Sequence, residues 1–198
     1  MMKKLVISLG IALAVSASPL SAGWKLLPAT QRVAVAKSSL TVVPGDGWNR
    51  SSTRLSKKGE SWSYDGPILN SIDFLGGIAS GEPIAKERNK KDKPLPKFNG
   101  AMLPTDVAQM YEQTVRILTG SPDFAVEAME PADFAGHKGF RFTFRFTKPD
   151  EEITRRGEAR GAIVGGKLYM ITYVATALHY FGAHLAAAES VMDSAKVN

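Results

Sequence analysis

The chain has 198 residues, with 25 Lys and Arg against 19 Asp and Glu, a formal net charge of +6, and no cysteine. The missing cysteine excludes disulfide staples, thiol nucleophiles and lipid attachment through a thioether. The modest positive balance, without a concentrated basic stripe, falls short of a nucleic-acid-binding signature.

At the N-terminus, Lys3 and Lys4 precede an apolar stretch from Leu5 to Ala17, and small residues follow through Ser21, Ala22 and Gly23. This order of basic, apolar and small residues predicts a secretory signal peptide over residues 1–22, cleaved near Ala22. The apolar run is shorter than the roughly 20 residues that span a bilayer, and no second hydrophobic stretch follows to stop transfer. The expected product is periplasmic or secreted, without a transmembrane segment. Removal of the leader lowers the net charge by two and leaves a length suited to one domain, drawn here as a lead-in over 23–38 and a single domain over 39–198.

Val33 to Ala36 can form a short edge strand. Ser39 to Val43 is β-prone and stops at the turn residues Pro44-Gly45-Asp46-Gly47. Glu60 to Tyr64 and Ser71 to Leu75 flank Asp65-Gly66-Pro67 and predict an antiparallel pair, which Gly76 and Gly77 then end. Residues 78–102 carry several prolines and glycines and predict a long loop of the kind that is either mobile or functional.

Pro104 to Thr119 repeats apolar residues at helical spacing, with Asp106 and Gln109 as a capping box and Gly120 as the C-terminal stop. Phe124 to Met129 is a predicted strand, and Ala135 to Gly139 a turn. Phe140 to Phe146 alternates strictly, with four phenylalanines on one face and Arg141, Thr143 and Arg145 on the other. Ile153 to Val164, the turn Gly165-Gly166 and Lys167 to Ala175 complete a four-stranded antiparallel meander. The last strand is apolar on both faces and is expected to be central. Gly157, Ala159 and Gly161 are small enough to let a helix approach the sheet, and Ala183 to Ala195 predicts a second helix to cover it.

Catalytic and metal motifs are absent. His137, His179 and His184 have no partners at ligand spacing, and Gly76 to Gly81 lacks the lysine of a phosphate cradle. Asp150, Glu151 and Glu152 follow Pro149 as a solvated corner. No cofactor is called for.

Two constellations remain. Arg141, Arg145, Glu158, Arg160, Tyr169 and Tyr173 fall on the polar face of the meander and form a candidate face for an anionic ligand. The alternative there is cross-strand Arg–Glu pairing. In the long loop, Lys86, Arg88, Lys90, Lys91, Lys93 and Lys97 outnumber Glu87 and Asp92. They form a candidate docking loop for an envelope protein or an anionic surface, the alternative being a solvated connection.

Gly47-Trp48-Asn49-Arg50 after a first strand, a helix after a long loop, and Gly166 to Tyr173 leading to Phe181, Val191 and Ser194 resemble the Mog1/PsbP-like superfamily over about residues 40–195. The resemblance implies an α/β fold of the α+β type, an α/β/α sandwich with a mostly antiparallel sheet of about six strands flanked by helices. It also implies a binding or assembly factor rather than an enzyme, and it carries over no functional residue. The expectation is an exported, non-enzymatic binding or accessory factor of the cell envelope, with a small-molecule binder or hydrolase on the polar sheet face as the alternative.

Overall fold

A computed structural model describes residues 23–149 and 151–198, so the signal-peptide reading of residues 1–22 lies outside the described residues. The strands are β1 (Trp24–Leu26), β2 (Val33–Ala34), β3 (Leu40–Val42), β4 (Asn49–Ser51), β5 (Gly59–Ser63) and β6 (Asn70–Ile78). After α1 (Pro104–Thr119) come β7 (Ala125–Phe134), β8 (His137–Thr147), β9 (Thr154–Val164) and β10 (Lys167–Thr176), and after α2 (Tyr180–Asp193) comes β11 (Lys196–Val197). Among the described residues, no helix is long and apolar enough to cross a membrane.

The main sheet is antiparallel and has eight strands in the order β1-β4-β5-β6-β10-β9-β8-β7, two more than the six expected. The additional strands β1 and β4 are three residues each, too short to show a period in the sequence, and they pair Trp24 to Leu26 with Ser51 to Asn49. A separate sheet of β11-β3-β2 joins the C-terminus to the first strands. The meander β7-β8-β9-β10 forms as predicted, and β10 sits between β9 and β6.

Two hairpins of the meander close through two-residue turns at Ala135-Gly136 (φ 53° and 84°) and Gly165-Gly166 (φ 56° and 73°), the backbone twist that tight hairpins favour. The first turn is therefore shorter than the expected Ala135 to Gly139. Strand β7 runs on past Met129 through Pro131, which its edge position permits. Gly76 and Gly77 do not end the pattern of β6. Register against β10 jumps from Leu168 opposite Ile78 to Tyr169 opposite Gly76, and Gly77, at φ 74°, is the extra residue of a bulge.

Helix α1 has the predicted bounds. Its start is fixed by the Asp106 carboxylate, which accepts the Leu103 N–H at 2.8 Å, so Asp106 closes the first turn rather than opening a box with Gln109. Gly120 is left-handed, at φ 74°. Helix α2 begins three residues before the expected Ala183 and ends at Asp193.

The helices cover opposite faces of the sheet, giving three layers. Under α1, Val107, Met110 and Tyr111 meet Phe140, Phe142, Phe144, Leu168 and Met170. Under α2, Phe181, Ala188, Val191 and Met192 meet Trp48, Trp62, Phe74, Ile171 and Tyr173.

The small residues of β9 serve a different purpose from the one expected. Gly157, Ala159 and Gly161 stand directly opposite Phe144, Phe142 and Phe140. A Cβ on Gly157 would lie 2.2 Å from the Phe144 ring, and one on Gly161 would lie 2.9 Å from Phe140. They admit phenyl rings from the neighbouring strand, not a helix.

Overpacking in a filled core costs about 1–3 kcal/mol. Gly157→Ala is expected to lose stability in that range, whereas Gly182→Ala, in helix α2 with open space around its Cβ position, is expected to gain up to about 1 kcal/mol. Urea unfolding midpoints of the two variants check this; equal effects would refute the packing account.

Candidate functional site

The alternation of β8 and β9 that sends the phenylalanines and glycines toward α1 sends Arg141, Glu158 and Arg160 toward α2. Glu158 is 1% exposed and accepts from both arginines, from Arg141 Nη2 at 2.6 Å and from Arg160 Nε at 2.7 Å. The helix contributes two more carboxylates. Arg160 Nη2 reaches Glu189 at 3.2 Å and its Nη1 bonds Asp193, while Arg141 contacts Glu189 and, on β7, Glu130 at 3.4 Å each. The hydrogen bond to Glu158, with the surrounding carboxylates, holds the Arg141 guanidinium above its ordinary range.

The other three residues of the predicted face stand outside this cluster. Arg145 lies on the rim, half exposed, 3.5 Å from Glu127, which also draws in Arg156. The Tyr169 hydroxyl is 3.2 Å from Ser39 Oγ, and the Tyr173 hydroxyl donates to the Tyr180 carbonyl at 2.7 Å at the start of α2. Glu189 and Asp193 were not singled out from the sequence, although their spacing of four on a helix marks one acidic face. Two guanidiniums thus face four carboxylates at close range. The cluster's chemistry is that of an ion-paired seam between sheet and helix.

The long loop is organised differently. Its base is clasped, with Gly81 N–H donating to the Phe98 carbonyl at 2.8 Å and Phe98 N–H to Glu82 at 2.9 Å. Ile84, Leu95 and Phe98 are buried and pin it to the body. Lys86, Arg88, Lys90, Lys91, Lys93 and Lys97 are all exposed. The two acids between Lys86 and Lys97 turn to the loop's own amides: Glu87 accepts from Leu95 N–H at 3.2 Å and Asp92 from the Asn89 amide at 3.0 Å.

A polar cluster on the α1 face was not expected. Asp73 on β6 accepts from Ser61 Oγ at 2.5 Å and Ser71 Oγ at 3.3 Å. Burial outweighs these bonds and pushes its carboxyl from 3.8 up to about 6. The nearby Tyr111 phenol is pushed up by burial and then by Asp73. No sequence signal marks this cluster, because an Asp in an alternating strand reads as solvent-facing.

No family model and no curated protein matches the sequence. Several solved structures share the fold, two of them as follows. The solution structure of cyanobacterial PsbP from a Synechocystis species aligns with a TM-score of 0.57 at 18% identity, over 91% of this chain and all of that one. The crystal structure of the Saccharomyces cerevisiae Ran-binding protein Mog1p aligns with a TM-score of 0.53 at 10% identity, over 87% of this chain and 96% of that one. The chain has the Mog1/PsbP-like fold.

Removing one partner of a buried ionic cluster costs about 3–5 kcal/mol. Glu158→Ala is expected to destabilise toward the lower end of that range, because Arg141 and Arg160 lose their buried partner but keep Glu130, Glu189 and Asp193, as read from thermal and urea unfolding; a loss below about 1 kcal/mol would show that the seam contributes no more than a surface pair.

Folded Asp73 keeps its proton up to about pH 6, whereas the unfolded side chain releases it near 3.8. Between these values the native state binds more protons, so this group's stabilising contribution is present below 3.8 and is lost as pH rises through 6, by at most about 3 kcal/mol. The stability of Asp73→Asn relative to wild type is therefore expected to increase between pH 4 and pH 7. A difference independent of pH would refute the assignment.

Proposed function

We propose that the protein is an exported binding or accessory factor of the cell envelope, and that it engages an acidic partner through the loop around residues 86–97. The observation that carries this reading is the contrast in charge compensation. Six exposed cations cluster on a loop whose base is anchored, and the loop's own carboxylates are bonded to amides rather than to them. Such a patch raises association rates with acidic surfaces and makes them sensitive to salt.

The fold adds weak support. Mog1p is a Ran-binding protein, so the same architecture serves as a binding module elsewhere. A likeness of this kind transfers no residue roles. The alternative, a small-molecule binder or hydrolase on the sheet face, has less support: Arg141 and Arg160 are already paired with Glu158 beneath α2, and the phenols of Tyr169 and Tyr173 are engaged elsewhere.

The test is affinity capture from envelope extract with the wild type and with a variant in which Lys86, Arg88, Lys90, Lys91, Lys93 and Lys97 are all replaced by Ser. A partner retained by wild type, released by salt and lost in the variant is the expected result. The same partner held equally by the variant would overturn the assignment of the loop.

A further inference from the structure

Beside the long loop lies a cavity of about 770 Å³, within the size range of small-molecule sites. One wall is the connection from β4 to β5, and the other is the first stretch of the loop after β6. The walls are held together by hydrogen bonds. Lys86 N–H donates to the Leu55 carbonyl at 2.7 Å, and Lys58 Nζ donates to the Gly77 carbonyl at 3.1 Å and to Glu82 at 2.7 Å. The cavity is therefore preformed.

Its lining combines two kinds of surface. Ile78, Pro83 and Ala85 are apolar. Of the charged groups, the two carboxylates are already engaged. Glu82 is held by Lys58 and by the Ala79 N–H, which keep its carboxyl below the usual range, and Glu87 accepts from Leu95. Arg54, Lys57 and Lys86 are exposed, and among the described residues they make no ion pair.

An uncharged apolar ligand would leave these three cations unused, and a bare inorganic anion would leave the apolar wall wet. The complement to both surfaces is an amphiphile. We propose that the cavity binds a single-chain amphiphile with a phosphate or carboxylate headgroup, the headgroup among Arg54, Lys57 and Lys86 and the chain against Ile78, Pro83 and Ala85. The lysine and arginine stems extend the apolar wall toward the rim, where the charged ends meet the headgroup. This site is separate from the tip of the loop and goes beyond the partner reading, which does not require it.

The test is calorimetric titration of the full chain with dodecyl phosphate and with dodecanoate, below micelle-forming concentrations, beside inorganic phosphate and dodecyl maltoside at equal ionic strength. At least one anionic amphiphile is expected to bind one to one and at least about ten-fold tighter than either control. The triple variant Arg54→Ser, Lys57→Ser, Lys86→Ser is expected to lose about ten-fold or more in affinity. Ala85→Trp, which sets an indole over the apolar wall of the cavity and keeps every charge, is expected to lose binding as well, with circular dichroism and unfolding midpoints confirming that both variants fold.

Lys90→Ser, Lys91→Ser, Lys93→Ser is expected to leave amphiphile binding unchanged. It thereby separates this site from the docking patch, to which these three lysines belong and whose tip lies outside the cavity lining. Equal binding of inorganic phosphate or of the maltoside, absence of binding by both anionic amphiphiles, or indifference of folded Ala85→Trp would each overturn the proposal.

Discussion

The rings of Phe140, Phe142 and Phe144 lie across Gly161, Ala159 and Gly157 of the neighbouring strand, and much of the architecture depends on this contact. A glycine in a strand interior ordinarily weakens it, but a phenyl ring laid across the bare backbone restores the buried surface. With the rings filling the trough over β9, the layer above them is aromatic. Tyr111 from α1 meets Phe142 and Phe144 at centroid distances of 5.8 Å and 5.1 Å, and Phe124 stacks on Phe144 at 5.1 Å. Because side chains alternate along a strand, this choice for one face of β9 dictates that Glu158 and Arg160 lie on the other, under α2.

That second face is organised by buried carboxylates. Glu158 collects two guanidiniums from β8 and β9, and Glu60, 6% exposed, collects Arg50, the Trp62 indole N–H and the backbone N–H of Ala36. A buried charge is costly unless several donors meet it in good geometry, so each of these acids fixes the mutual register of the elements that supply its partners. Glu60 in particular bonds the N–H of Ala36 beside the main sheet, where Ala36 takes a left-handed conformation, at φ 54°, uncommon for a residue with a Cβ. Segments too short to be stable strands by themselves are tied to the body in this way.

What could be read from the sequence follows from where local signals coincide with tertiary demands. The α1 bounds, the meander and the central place of β10 were legible because Pro104, Gly120, the phenylalanine alternation and the diglycine turn each speak through local stereochemistry. Strands β1 and β4 were not, because three residues carry no period and their pairing partner lies more than twenty residues away. Gly77 shows the limit of punctuation rules. A glycine in a strand can stop it or bulge it, and only the register with Leu168 and Tyr169 decides. Of the candidate ligand face, the sequence could place Arg141, Glu158 and Arg160 on one side of the sheet. It could not show Glu189 and Asp193 arriving from α2 to balance them, since which helix face meets the sheet depends on the crossing of the whole chain.

The distribution of compensated and uncompensated charge separates architecture from interaction on this molecule. Cations on the α2 face are matched by carboxylates from three elements, so an anion arriving there would have to displace partners already held in place. At the other site, on and beside the long loop, the local acids are bonded to amides or to Lys58, and the remaining cations face solvent. An approaching anion gains attraction there without breaking an existing pair, and partial exclusion of water by an apolar wall strengthens that attraction. Net charge alone would not distinguish the two regions. The difference lies in which cations have already been neutralised by the fold, and those left without a carboxylate partner stand on the loop and beside its adjoining cavity.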